Sequence, residues 1–118
     1  MTILHIATRE SWEEAVKAGK YTAPSLDTQG FIHCSLPEQV IPVADFIFRG
    51  QRGLVLLFIN EARLTASVKY ENLEGGQKLF PHVYGPVNLD AVVEVVDFPP
   101  LPDGTFALPP ELGEAGGG

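Results

Sequence analysis

The sequence predicts a single α+β domain, and three observations support this. The 118 residues have the length of one domain, with 45% hydrophobic and 19% charged residues, which is ordinary for a globular protein. Short apolar runs alternate along the chain with two stretches of helical periodicity. Prolines and glycines cluster between these segments, where they would end them. We therefore expect a mixed or antiparallel sheet of about six short strands with two main helices.

The N-terminal elements follow from apolar patterning and capping residues. Residues 3–7 form an apolar run without turn residues, which predicts the first strand. Thr8 is a suitable N-cap for a helix from about Arg9 to Ala18, and Gly19 is a natural stop. Residues 20–29 lack periodicity and predict a long loop, a type of segment that often carries function.

The second strand and second helix are predicted to be joined by a helix cap. Residues 30–34 are an apolar run that predicts the strand. The segment Ser35-Leu36-Pro37-Glu38 fits a capping box, with proline tolerated in the first turn. Apolar residues then recur at helical spacing up to Arg49, and Pro42 predicts a kink or a late start of this helix.

The second half of the domain is predicted to be mostly extended. Residues 54–59 form a continuous apolar run, typical of a central strand buried on both faces, and residues 60–63 predict one helical turn. Residues 68–71 alternate and predict an edge strand. Two prolines and a glycine in residues 79–87 predict an ordered loop, because proline interrupts a strand ladder. Residues 91–98 are β-branched and predict the last strand.

The composition changes after residue 98. Five of the ten prolines and five of the twelve glycines fall in residues 99–118. We expect residues 1–98 to form the domain and residues 99–118 to be an acidic, partly disordered tail in which Phe106 and Leu108 dock on the body.

The charge of the chain argues against several partners. The net charge is −7, and the first 98 residues hold 12 acidic residues against all 8 basic ones. Nucleic acids and anionic membranes are bound by clustered lysines and arginines, which this chain lacks, so we expect neither as a partner. A single cysteine forms no internal disulfide, and no apolar run approaches the roughly 20 residues of a membrane span. A cytoplasmic location is expected, since the start of the chain lacks the basic segment of a signal peptide.

The three histidines, His5, His33 and His82, each lie in an apolar or turn-rich segment. Buried polar groups need partners, so each imidazole is either a hydrogen-bonded structural group or part of a site. For His5 the alternatives are a bond to the backbone at the edge of the core and a grip on a ligand oxygen. For His33, strand alternation gives a shared face with Phe31 and Ser35, at the margin of the core or beside an anion-binding helix start.

Cys34 is predicted to be a core residue. Neighbouring strand residues face apart, so its thiol cannot reach His33, and we exclude a catalytic pair of the two.

The segment Phe80-Pro81-His82-Val83-Tyr84-Gly85-Pro86 is the densest local signal. Its prolines and glycine fix the backbone, so His82 and Tyr84 are held in place for stacking on a planar ligand. The alternative is a structural loop over the core. Glu71 and Glu94 are the candidate carboxylates for acid–base chemistry. A three-histidine zinc site would need the fold to bring together residues separated by 28 and 49 positions. We predict no metal site.

Three motifs together resemble a known family: Leu4-His5-Ile6-Ala7-Thr8, residues 30–35 and residues 80–86, in this order. The chain is identified as a member of the DUF952 family, small uncharacterised bacterial proteins whose match covers about residues 2–98. Members are sometimes labelled glutathione S-transferase-like, although this chain lacks the length and the helical half of such an enzyme. The family is grouped by fold with the ADP-ribosyltransferases, which cleave NAD at the nicotinamide–ribose bond.

The resemblance implies an ADP-ribosyltransferase-like fold and roles for particular residues. His5 would bind the ribose, and Phe31, His33 and Ser35 would line the nicotinamide wall. The segment around His82 and Tyr84 would replace the late-strand glutamate of those enzymes, for which no clear counterpart stands in this sequence.

Three functions are therefore considered for the chain. The first is a domain that binds a nucleotide or NAD-like cofactor in a cleft lined by His5, His33, His82 and Tyr84 with Ser35 at its floor, with imidazole-assisted attack on a glycosidic bond. The second is a non-catalytic module in which residues 80–86 bind another protein. The third is a zinc-dependent hydrolase. The sequence leaves the ligand, turnover and oligomeric state open.

Overall fold

A computed structural model describes residues 2–72 and 78–110 of the chain. These residues form a mixed α+β structure, which confirms the predicted class. Its elements, in chain order, are β1 (Thr2–Thr8), α1 (Arg9–Ala18), β2 (Lys20–Tyr21), α2 (Pro24–Gln29), β3 (Ile32–His33), α3 (Val40–Ile47), β4 (Leu54–Asn60), β5 (Ser67–Glu71), β6 (Phe80–Tyr84), β7 (Val87–Asn88) and β8 (Val92–Asp97), with 3₁₀ turns at Glu61–Arg63 and Leu89–Ala91.

The strands pair antiparallel in three sheets, with the orders β1-β4-β8, β2-β7 and β3-β6-β5. Leu4 on β1 and Ser35 just after β3 exchange two backbone hydrogen bonds of 2.8 Å, and this bridge joins the first sheet to the third. The described residues thus hold eight strands and three α-helices, more than the predicted six and two.

β4 lies at the centre of the molecule, as its continuous apolar sequence predicts. Residues 54–59 are all buried, and they alternate between two separate cores. Val55 and Leu57 face a core shared with Tyr21 and with the inner face of sheet β3-β6-β5. Leu56 faces the other core, which the helix α3 covers.

The chain after β8 contributes to this second core. Phe106 is buried with its ring stacked on Phe98 at a centroid distance of 4.8 Å, and its backbone N–H donates to Asp45. Phe106 therefore docks on the body as expected, whereas Leu108 is exposed. Residues 111–118, part of the segment predicted to be disordered, lie outside the described residues.

Two predicted loops contain regular structure. Within residues 20–29 lies the short helix α2, whose first residue is Pro24, a favoured position for proline. Gly30 caps its C-terminal end with a φ of 87°, which suits glycine. With only six residues, α2 is too short to leave a periodic apolar pattern. The predicted loop of residues 79–87 contains β6, the middle strand of its sheet. A proline removes only a donor, and the Pro81 carbonyl still accepts a 3.0 Å bond from the Cys34 N–H.

The predicted capping box is wrong, and the second strand is shorter than expected. Strand β3 has only two residues, and Ser35 pairs with Leu4 through its backbone. The helix α3 starts late, at Val40, so Pro42 lies in its first turn. Backbone N–H groups in the first turn have no partner within the helix, so the N–H that proline lacks costs no hydrogen bond there. Gln39 closes the preceding turn instead, because its side-chain oxygen accepts from the Leu36 N–H.

Gly85 offers a direct test of the packing at the end of β6. A Cβ atom at this position would lie 2.9 Å from the Cβ of Ala66. We expect Gly85→Ala to lower the free energy of unfolding by about 1–3 kcal/mol, measured by denaturant titration. Adding Ala66→Gly removes the opposing atom and should recover part of the loss. Unchanged stability of the single variant would contradict this account of the packing.

No helix in the described ranges has the length and apolar character needed to span a membrane.

Candidate functional site

The sheet β3-β6-β5 has one apolar face and one polar face. Ile32, Cys34 and Val83 point into the first core. The cross-strand pairs His33–His82 and His82–Lys69 lie on the other side. Tyr84 and Glu71 lie on that side too, because residues two apart on a strand share a face. We call this side, together with Phe31 at the start of β3, the polar sheet face.

Phe31 is the centre of an aromatic cluster on the polar sheet face. Its ring stacks on His82 with a centroid distance of 4.2 Å and an interplanar angle of 21°. It also contacts His33 edge-on at 4.8 Å and Tyr84 at 5.3 Å. The two imidazoles lie 5.5 Å apart. The structure thus brings together four of the sequence-predicted site residues, namely Phe31, His33, His82 and Tyr84.

A carboxylate joins this cluster at Glu71. One oxygen, Oε1, accepts from His82 Nδ1–H at 3.0 Å and from the Tyr84 hydroxyl at 2.6 Å. These two hydrogen bonds, Tyr84 first, lower the pKa of Glu71, and the positive charge of Lys69 adds to the effect. Glu71 is therefore a carboxylate held ionised beside an imidazole.

His82 is 5% exposed, and its orientation is fixed by Glu71. A carboxylate oxygen only accepts, so Nδ1 carries the proton and, in the neutral ring, Nε2 carries the lone pair. No fully buried side-chain nitrogen or oxygen in residues 2–72 and 78–110 lacks a hydrogen-bond partner. Since Nε2 has none within those ranges, it is not fully buried.

His33 and Lys69 form the exposed margin of the polar sheet face. The Nε2–H of His33 donates to the Gln29 side-chain oxygen at 2.5 Å, which makes α2 a neighbour of the site. The Lys69 ammonium lies 4.9 Å from the centre of the Tyr84 ring, a cation–π contact that leaves a positive charge beside Glu71.

His5 does not belong to this cluster. It is 8% exposed and lies on the face of β1 that packs into the first core. Its Nδ1 bonds the His33 carbonyl oxygen at 2.6 Å, and its Nε2 bonds the Tyr21 hydroxyl at 2.7 Å. Burial lowers the pKa of His5 to about 4, so its ring is neutral at physiological pH. The expected convergence of three imidazoles therefore holds for two of them, because β1 turns His5 inward.

Ser35 and Cys34 lie beside the polar sheet face. Ser35, two residues after His33, is buried, and its backbone is bonded to Leu4. Cys34 is buried in the first core, where desolvation raises the pKa of its thiol to about 12. This confirms that Cys34 is a core residue facing away from His33.

Sequence reasoning named Glu71 among two carboxylates but not as a site residue, and it missed Lys69, Gln29 and Tyr21. The alternation of residues 67–71 places Lys69 and Glu71 on one strand face, but only the pairing of β5 with β6 reveals which residues they meet. Glu94, the other candidate, is exposed on β8 in a different sheet. Within the described ranges no group of three or more histidine, cysteine, aspartate and glutamate side chains is placed to hold a metal ion.

The Tyr84 hydroxyl reports on Glu71. Its hydrogen bond to the carboxylate is the main cause that raises the pKa of Tyr84 above the ordinary value. In Glu71→Gln the charge is gone, and we expect the pKa of Tyr84 to fall towards about 10. The phenolate absorbance in a spectrophotometric pH titration measures this change. The same titration of Tyr84→Phe identifies the transition, and an identical curve for wild type and Glu71→Gln would contradict the contact.

Two hollows lie elsewhere on the surface. One is formed by α1 with Lys20 and Thr22, and the other by the end of β8 with the segment after it. Neither includes a residue of the aromatic cluster.

Comparisons with known proteins identify relatives of the chain. A family model described as "Protein of unknown function (DUF952)" matches residues 6–95. The crystal structure of protein CC0527 from Caulobacter crescentus has 33% sequence identity and a TM-score of 0.86, covering 96% of this chain and 99% of that one. The solution NMR structure of CC0527 has 34% identity and a TM-score of 0.78, with coverages of 97% and 95%. No curated protein matches the chain. These descriptions name no ligand or reaction.

Proposed function

The chain belongs to the DUF952 family, and from its geometry we propose that the polar sheet face binds an NAD-like nucleotide and promotes cleavage of its N-glycosidic bond. The proposal depends mainly on one observation: a single carboxylate oxygen, Glu71 Oε1, accepts hydrogen bonds from both His82 and Tyr84. The His82 ring is also stacked on Phe31. An ADP-ribosyltransferase-like fold, with His33 and His82 as catalytic or substrate-contacting residues, is part of the same proposal.

The chemistry rests on the pairing of His82 with Glu71. In hydrolysis, water would form a bond to the ribose C1′ while the C1′–nitrogen bond breaks. The bonding electron pair leaves with nicotinamide, and the proton of the water passes to His82 Nε2. Glu71 would stabilise the imidazolium that forms, as the carboxylate does in other acid–base pairs. Its negative charge on the same face also favours a ribosyl centre that becomes positive.

The part of the proposal that concerns ligand binding depends on the exposed margin of the polar sheet face, formed by His33 and Lys69. Because Phe31 already covers one face of His82, a planar ring of the ligand would lie over His33 and Tyr84, in aromatic contact. The Lys69 ammonium would pair with a phosphate. With one lysine beside the cluster we expect modest affinity, since a nucleotide with two phosphates would have only part of its charge neutralised.

Calorimetric titration with NAD, ADP-ribose and nicotinamide tests this binding. We expect binding of NAD and ADP-ribose, weakened about tenfold by Lys69→Met, which removes one charge-assisted contact. Lys17→Met, on the exposed side of α1, is the matched control and should bind as wild type does. No heat of binding with either nucleotide, or equal weakening by both variants, would contradict the proposal.

A second candidate is the non-catalytic interaction module, favoured by one observation. The neighbouring residues Phe46 and Ile47 at the end of α3 expose 90% and 62% of their surface, and it is contiguous exposed apolar surface that marks protein contacts. In its original form this hypothesis placed the contact on residues 80–86, but Pro81, His82 and Val83 are buried in β6. Phe46→Ser leaves the nucleotide titration unchanged if the polar sheet face is the functional site.

A further inference from the structure

Both ring nitrogens of His5 are engaged, and their roles are fixed by chemistry. The His33 carbonyl can only accept, so Nδ1 of His5 carries the proton and donates to it at 2.6 Å. Nε2 is then an acceptor, and the Tyr21 hydroxyl donates a hydrogen bond to it at 2.7 Å. Tyr21 is 2% exposed and His5 is 8% exposed, so the hydroxyl and the His5 ring lie inside the protein, although the His33 ring is exposed. Neither nitrogen of His5 is available to a ligand.

The strand that His5 contacts through the His33 carbonyl is β3, which has little strand pairing of its own. β3 has only two residues, paired with Val83 and His82 of β6. Phe31 precedes this pair and lies outside the strand, yet its ring is the centre of the aromatic cluster. The backbone bonds that follow β3, from Cys34 to Pro81 and between Ser35 and Leu4, lie after His33 in the chain, so the bond from His5 is the contact made at the His33 carbonyl itself. The bond from His5 reaches β3 from the opposite side, through the His33 carbonyl.

We propose that His5 is a positioning residue: locked by the Tyr21 hydroxyl, it holds the His33 carbonyl so that Phe31 and His33 are set against His82. Its effect on ligand binding rests on the proposed function, whereas its effect on the aromatic cluster does not. A site displaced by about 1 Å can lose up to about a hundredfold in activity, so a buried residue with no ligand contact can still control it.

Two substitutions separate the two bonds of His5. In His5→Asn the side-chain amide nitrogen lies close to the place of Nδ1 and can still donate to the His33 carbonyl. In His5→Gln the amide reaches the place of Nε2, near Tyr21, and the donor to His33 is lost. Cooperative denaturant unfolding of both variants establishes that each is folded.

The first readout needs no ligand. Stacking on Phe31 displaces the NMR signals of the His82 ring protons, and Phe31→Leu gives their position without the stack. We expect His5→Asn to keep the wild-type signals and His5→Gln to move towards those of Phe31→Leu. The second readout is NAD affinity, which should fall about tenfold in His5→Gln and stay near wild type in His5→Asn.

A folded His5→Gln variant with wild-type His82 signals would overturn the proposal. If wild-type protein binds no NAD, the proposed function fails, and the His82 signals still decide the positioning role. If His5→Gln does not fold, the nitrogen NMR spectrum of wild-type His5 decides it: a proton on Nδ1 supports the proposal, and a proton on Nε2 overturns it.

Discussion

Under the proposed function, the Glu71→Gln variant is expected to lose about 10²–10⁴-fold in the rate of nicotinamide release from NAD, the usual size of a general acid–base contribution. The amide keeps the size of the side chain, and its oxygen can still accept from His82 Nδ1. What it lacks is the negative charge that, in the proposed reaction, would stabilise the imidazolium and the developing charge on the ribose. Chromatographic quantification of nicotinamide under single-turnover conditions measures this rate.

The matched control for this prediction is Glu94→Gln. It removes an equal charge from an exposed strand residue in the other sheet, and its rate should equal that of the wild type. Binding of ADP-ribose to Glu71→Gln, measured separately, distinguishes a chemical defect from lost affinity. Equal rates for the wild type and Glu71→Gln would refute the role of the carboxylate.

The second large effect is on stability at acidic pH and arises at His5. The pKa of this imidazole is about 4 in the native state, against 6.5 for the ordinary value that applies on unfolding. Between these values the unfolded chain binds a proton that the native protein does not, so stability decreases as the pH falls from about 6.5 to 4. Above about pH 6.5 the free energy of unfolding includes the full contribution of His5, and below about pH 4 this contribution is entirely lost. The difference corresponds to about 3 kcal/mol.

His5→Asn isolates this contribution, because asparagine does not titrate and can keep the bond to the His33 carbonyl. Denaturant unfolding at a series of pH values should show a steeper loss for the wild type than for the variant between pH 6.5 and 4. Carboxylates titrate in both proteins and cancel in the difference. Parallel curves for the two proteins would contradict the burial of a neutral imidazole at position 5.

Local patterns in the sequence predict the elements that are long or clearly bounded. The helix α1 has the predicted ends because Thr8 caps it and Gly19 adopts the left-handed conformation that ends it. β4 was identified as a central buried strand because a continuous apolar run suits burial on both faces. The elements β2, α2 and β7 are too short to show a periodic apolar pattern in the sequence. β6 was predicted to be a loop because it contains a proline, which usually interrupts strand pairing.

The candidate site was predictable only in part, for a physical reason. Strand alternation predicted a shared face for Phe31, His33 and Ser35, and the prolines and glycine of residues 80–86 pointed to His82 and Tyr84, since both signals are local. The register of β6 between β3 and β5 is a tertiary property, and it alone brings Glu71 to His82 and Tyr84. The inward direction of His5 is equally non-local, because it depends on Tyr21 and on the His33 carbonyl.

The most direct test of the central claim is a proton–nitrogen NMR titration of the three imidazoles with NAD. If the polar sheet face binds the nucleotide, the signals of His33 and His82 shift together and saturate at one ligand concentration. The buried His5 keeps its tautomer and shifts least. If His33 and His82 stay unchanged up to saturating NAD, the polar sheet face is not a nucleotide site and the proposed function is wrong.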